Sequence, residues 1–185
     1  TVTYGTTLMN VANTNRMAGN LLESLAYFRK VKEIYQGQVG SNDILIATYY
    51  NNVALLYQDL GEYDKAVDSF EHALSIIERH EKAATEIAAT YVNLGESLLR
   101  AGRLEDAKDR LTEAVRRYQL MGERGYHYSA ALSAVAEAWY RQGELVQALK
   151  YYELAAEEIY GIYGDNDTYK IIMGNIDTVK SQLAN

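Results

Sequence analysis

The chain has 185 residues and a mass of 20.8 kDa, with 48% hydrophobic and 23% charged residues, an ordinary balance that leaves room for a substantial core. Its net charge of −7, with no cluster of Lys and Arg, argues against a nucleic-acid partner, whose phosphates need such cations. The lack of cysteine excludes disulfides and thiolate metal sites, and no apolar run nears the roughly 18 residues of a membrane span; with no signal-peptide pattern, the expectation is a cytoplasmic protein without a membrane partner.

The first element, about residues 5–45, is a helix that turns at Gly19 in MAGNLLES and restarts into a second helix. The chain opens on Thr1 in mid-pattern and without Met, which suggests a piece of something longer. A cluster of corner residues, QGQVGSND from Gln36 to Asp43, separates this pair from the next.

The second pair, about 46–86, is written most clearly. Tyr50, Val53, Ala54 and Tyr57 recur at helical spacing, Gly61 interrupts them in LYQDLGEYDKA, and Tyr63, Ala66, Val67, Phe70, Ala73, Leu74 and Ile77 resume the period. A third pair, about 87–127, turns at Gly102 in RAGRLEDA, and a fourth, about 128–167, turns at Gly143 in RQGELVQA. A second corner cluster, GIYGDND from Gly161 to Asp167, leads into a closing helix over 168–185.

The four marker glycines are separated by 42, 41 and 41 residues, and five positions after each stands a small residue: Ser24, Ala66, Ala107 and Ala148. Such a period is the signature of an array of supersecondary units, here antiparallel helix pairs whose corners use Gly to adopt the turn conformation. No segment alternates as a half-buried strand would, and there is no proline to break a helix. The expected fold is all-α: four helix pairs and a C-terminal helix forming a single domain over 1–185.

These residues resemble the tetratricopeptide repeat family. In the second repeat Tyr50, Val53-Ala54, Tyr57, Ala66, Phe70 and Ala73 fall on its pattern. Tyr91, Leu94-Gly95, Leu98, Ala107, Leu111 and Ala114 do so in the third, and Leu132, Val135-Ala136, Trp139, Ala148, Tyr152 and Ala155 in the fourth. The first is looser, with Leu8, Val11-Ala12, Asn15, Ser24, Phe28 and Val31; the polar Asn15 and Ser24 suggest an end repeat or a solvated surface. The period exceeds the family's usual ~34 residues by about two helical turns. It resembles the kinesin-light-chain kind of repeat, which is also widespread in bacterial proteins.

The resemblance implies a right-handed superhelical solenoid whose first helices line a concave groove. By register, the peptide-binding positions are Met9, Asn13 and Arg16; Thr48, Asn51, Leu55, Gln58 and Asp59; Val92, Glu96, Leu99 and Arg100; Ser133, Glu137, Tyr140 and Arg141. Thr6, Met17, Ala89 and Ala130 extend the same rows. Asn and Gln there could satisfy the backbone of a bound peptide while Leu55, Leu99 and Tyr140 supply apolar contact. Equally, Asn51, Asn52 and Asn93 could be repeat residues that bond neighbouring helices. The carboxylate clamp of some relatives, which grips chaperone tails, is not expected: Asn13 and Asn52 fill its Asn slots, but Met9, Ala89 and Asn93 stand where its cations would be.

Little points to chemistry. His72, His80 and His127 fall in a second helix and two connector regions without ligand spacing, so no metal or cofactor is expected. Glu157-Glu158, and Glu105-Asp106 with Asp109, read as solvated helix faces rather than catalytic pairs. Tyr50, Tyr57, Tyr91 and Tyr152 read as packing residues. The expectation is a non-enzymatic module that binds a protein or peptide. The alternative is a self-associating scaffold or spacer within a larger signalling protein, with homo-oligomers possible.

Overall fold

The computed structural model describes residues 1–41 and 43–184; Asn42 of the first connector and Asn185 of the closing helix lie outside the described residues. The described residues form helices and connectors with no strand. In order these are α1 (Val2–Met17), α2 (Leu21–Gln36), α3 (Ile44–Asp59), α4 (Tyr63–Ile77), a 3-10 turn (Glu81–Ala83), α5 (Ala84–Arg100), α6 (Leu104–Met121), α7 (Tyr126–Arg141), α8 (Leu145–Tyr163) and α9 (Asp167–Leu183). None is long and apolar enough to cross a membrane.

Each marker glycine closes a first helix in the same way. Gly19, Gly61, Gly102 and Gly143 have φ between 74° and 83°, the left-handed region that side chains resist. Around Gly61, the Gly61 amide donates to the Gln58 carbonyl at 3.0 Å and the Glu62 amide to the Tyr57 carbonyl at 2.9 Å. This double closure satisfies carbonyls that a helix end would otherwise leave open. Asn20 to Asn15, Arg103 to Leu98 and Glu144 to Trp139 repeat the outer bond at 2.9–3.0 Å.

The chain divides into two compact units, Thr1–Ser97 and Leu98 onward, with the division inside α5. In the first unit α1 pairs with α2 and α3 with α4. Ala66, Val67, Phe70, Ala73, Leu74 and Ile77 make one buried stripe of α4, and Ala54 and Ala66 are completely buried at the close approach of the hairpin. In the second unit α7 pairs with α8, and Ala107, Leu111, Ala136, Ala148 and Ile159 are likewise fully enclosed.

Several residues depart from the sequence reading for identifiable reasons. Ser24 is not solvated: it is fully buried and donates to the Ala12 carbonyl at 2.8 Å, which satisfies its hydroxyl where Ala would need nothing. Ser129 does the same in the second unit, donating to the Ala155 carbonyl at 3.0 Å. Gly161 to Tyr163 are not corner residues but the last turn of α8; the turn itself begins at Gly164, φ 68°. His127 belongs to α7 rather than a connector. Among the packing tyrosines, Tyr91 and Tyr152 are buried, whereas Tyr50 and Tyr57 are half-buried.

Candidate functional site

In the first unit, side chains from α1, α3 and α5 join neighbouring first helices. Arg16 Nη1 lies 2.7 Å from Asp59 Oδ2, linking α1 to α3. From α3, Asn51 donates to Glu86 Oε1 at 3.2 Å and accepts from Thr90 Oγ1 at 3.3 Å, both on α5. Two turns further along α3, Gln58 Nε2 reaches the Asn93 carbonyl at 3.0 Å and Ser97 Oγ at 2.8 Å. Of the two roles open to Asn51, the geometry shows the interhelical one. Asn52 instead donates within its own helix to the Thr48 carbonyl at 2.9 Å, and Thr48 Oγ1 donates back to Ile44.

The apolar positions divide. Met9 is 5% and Leu99 3% exposed, so neither offers an accessible contact as the register transfer expected. Met9 packs in the core with Leu8, Ala12 and Phe28, because α1 turns this position towards α2. Thr6 follows the same turn, its hydroxyl 3.1 Å from that of Tyr35 on α2. Leu55 and Val92 remain half-buried, Asp59 and Glu96 are exposed, and Met17 is exposed at the end of α1. Asn13 and Arg16 are partly buried; Asn13 Oδ1 and Arg16 Nε are enclosed without a hydrogen bond among the described residues.

The second unit repeats the scheme with different residues. Arg141 grips Glu137 on its own helix at 2.6 Å and donates through Nη1 to the Leu99 carbonyl at 3.0 Å. Tyr140 accepts from Gln182 of α9 at 2.6 Å. Beneath them Tyr152 has its pKa pushed up to about 12, chiefly by burial and then by the charge of Glu137. Ser133 keeps a buried Oγ without a hydrogen bond among the described residues, Arg100 is exposed, and Ala130 is exposed.

Of the Glu157-Glu158 pair that the sequence placed in solvent, Glu157 is exposed as expected but Glu158 is internal. Glu158 is 5% exposed: its Oε1 accepts from the Gly125 amide at 2.6 Å, and Arg124 closes on both oxygens at 3.0 and 2.5 Å. The carboxylate clasps the α6–α7 connector to α8 rather than standing ready for proton transfer. No group of three or more His, Asp or Glu among the described residues could hold a metal ion.

Comparison with known proteins gives a family model described as tetratricopeptide repeat, which matches residues 3–79 and 86–160. Over 154 residues the chain is 22% identical to Protein KINESIN LIGHT CHAIN-RELATED 1 of Arabidopsis thaliana; this covers 83% of the chain but only 25% of that protein's length. The crystal structure of BtubC (BKLC) from P. vanneervenii superposes with a TM-score of 0.81 at 20% identity, over 96% of this chain and 72% of that one. The Rap conjugation gene regulator of the plasmid pLS20, in complex with a Phr peptide, superposes with a TM-score of 0.71 at 15% identity, over 91% and 45%. These likenesses are of fold: an all-α array of helix pairs.

Proposed function

The chain belongs to the tetratricopeptide repeat family, and on that premise we propose that it is a non-catalytic recognition module. It holds a segment of a partner protein against the exposed face of its first helices. The observation that carries this reading is the interhelical bonding of Arg16, Asn51 and Gln58. Those bonds hold α1, α3 and α5 side by side in the first unit before any ligand arrives, so little ordering entropy remains to be lost on binding. Between them Leu55 and Val92 stay half-exposed for apolar contact. The likeness to a Rap regulator in complex with a peptide supports a peptide-sized ligand.

Because Asn51 and Gln58 are engaged with α5, affinity comes from side-chain pockets more than from pairing with the peptide backbone. The test is capture on an array of peptides, followed by Leu55→Arg and Val92→Arg. A coherent set of captured sequences, lost in both variants with helicity unchanged, is expected. Capture that survives both substitutions overturns the assignment.

A second reading has its own observation. Leu154, Tyr160, Ile162 and Ile171 on α8 and α9 are 41–68% exposed, a group of large apolar side chains left in solvent. It favours self-association through the second unit. Light scattering across a concentration range separates the two: a dimer that dissociates on Ile171→Lys supports assembly, and a monomer at all concentrations excludes it.

A further inference from the structure

Away from the first-helix face, residues of α2, α3, α4 and the connector before α3 line a half-open cavity of about 290 Å³. We propose that this cavity binds a small aromatic carboxylate, its ring held against Tyr49, Tyr50 and the aliphatic Val39 and Ile46, and its carboxylate by Lys32. The volume suits one ring with a short side chain rather than a cofactor-sized molecule.

The walls select an aromatic body. Tyr49 and Tyr50 meet edge to face at 5.2 Å, and Tyr50 lies 4.1 Å from His72, so three rings support one another in a continuous wall. Phe28 backs Tyr49 from the core at 6.1 Å. Rings held this rigidly offer fixed faces and edges, and Val39 and Ile46 add aliphatic surface.

The polar groups select a single negative charge. Lys32 lines the cavity, is exposed, and has no ion pair among the described residues. Whereas Lys65 is bound by Glu62 and Lys108 by Glu105, Lys32, like Lys30 and Lys150, has no acidic partner among the described residues, and unlike them it lines the cavity. The Tyr49 hydroxyl likewise makes no hydrogen bond among the described residues, and burial pushes its pKa up, so it remains a proton donor. One ammonium and one hydroxyl match a monocarboxylate; a phosphate dianion calls for more cations.

The test titrates 3-phenylpropionate into the isotopically labelled 185-residue chain and follows the Val39 and Ile46 methyl resonances. Saturable shifts are expected, with binding about tenfold weaker for the neutral 3-phenylpropionamide and for Lys32→Met. Ile46→Trp, which fills the cavity, is expected to abolish the shifts, and circular dichroism checks that each variant is folded. Should Ile46→Trp unfold, the acid-to-amide comparison on the unaltered chain still decides. No saturable shift at Val39 and Ile46, or equal affinity for acid and amide, overturns the proposal.

Discussion

Arg16 Nη1 and Asp59 Oδ2 lie 2.7 Å apart and tie α1 to α3, with Arg16 21% and Asp59 40% exposed. At that exposure solvent screens much of the attraction. A double-mutant cycle with Arg16→Met and Asp59→Asn is expected to give a coupling of about 0.2–1 kcal/mol in urea unfolding. A coupling beyond about 3 kcal/mol, the range of buried pairs, would show that the pair governs stability rather than the charge of the face.

Gly61 and Gly5 are expected to fail for different reasons when changed to Ala. At Gly61 a Cβ would meet nothing within 4 Å, so only the positive φ is at stake, and Gly61→Ala should cost about 1 kcal/mol, with Gly61→Asn milder. At Gly5 a Cβ would stand 2.6 Å from Tyr35 Cε1, so Gly5→Ala overpacks and should cost about 1–3 kcal/mol. Tyr35→Leu is expected to relieve the second and leave the first unchanged, as read by urea midpoints.

Removing the clasp at Glu158 leaves the Gly125 amide without its buried acceptor. Glu158→Ala is expected to cost about 1.5–3 kcal/mol, and Glu158→Gln less because its carbonyl oxygen can still accept. Hydrogen exchange at the Gly125 amide should accelerate in both, and unchanged protection there would remove the clasp from the account.

Stability should also fall in acid through Glu113. Hydrogen bonds from Arg116 hold its pKa below the ordinary value, with Arg117 adding to them and partial burial opposing. A carboxylate with a depressed folded pKa contributes stability that is present above the unfolded pKa and lost as pH falls through the folded one. The melting temperature is therefore expected to decline below about pH 4.5, the ordinary carboxylate value, and Glu113→Gln should flatten that part of the profile. An identical acid profile in the variant would assign the loss to other groups.

How much was legible in the sequence depended on how local the cause is. The corner at Gly61 is decided by bonds spanning at most six residues, so its spacing and its Gly were enough to place it. Ser24 was misread because its partner is the Ala12 carbonyl on another helix, invisible to a pattern that compares Ser only with Ala. Glu158 looked like any acidic helix residue; what buries it is a glycine 33 positions earlier. Met9 and Leu99 sit at the margin of their helical faces, where a rotation of a fraction of a turn decides between groove and core. Cavity-forming residues such as Lys32, Ile46 and Tyr49 come from two helices and share no motif.

The corners at Gly19, Gly61, Gly102 and Gly143 are each completed by backbone groups no more than five positions apart along the chain. A nascent chain therefore has every hairpin bend available as soon as the residue after its glycine has emerged, and the second helix can begin to bury its stripe on its hairpin partner before the next pair covers the rest, as α3 covers Phe28 of α2. Synthesis can consolidate such a protein pair by pair, with no stage at which an early segment must wait for the last one to be made.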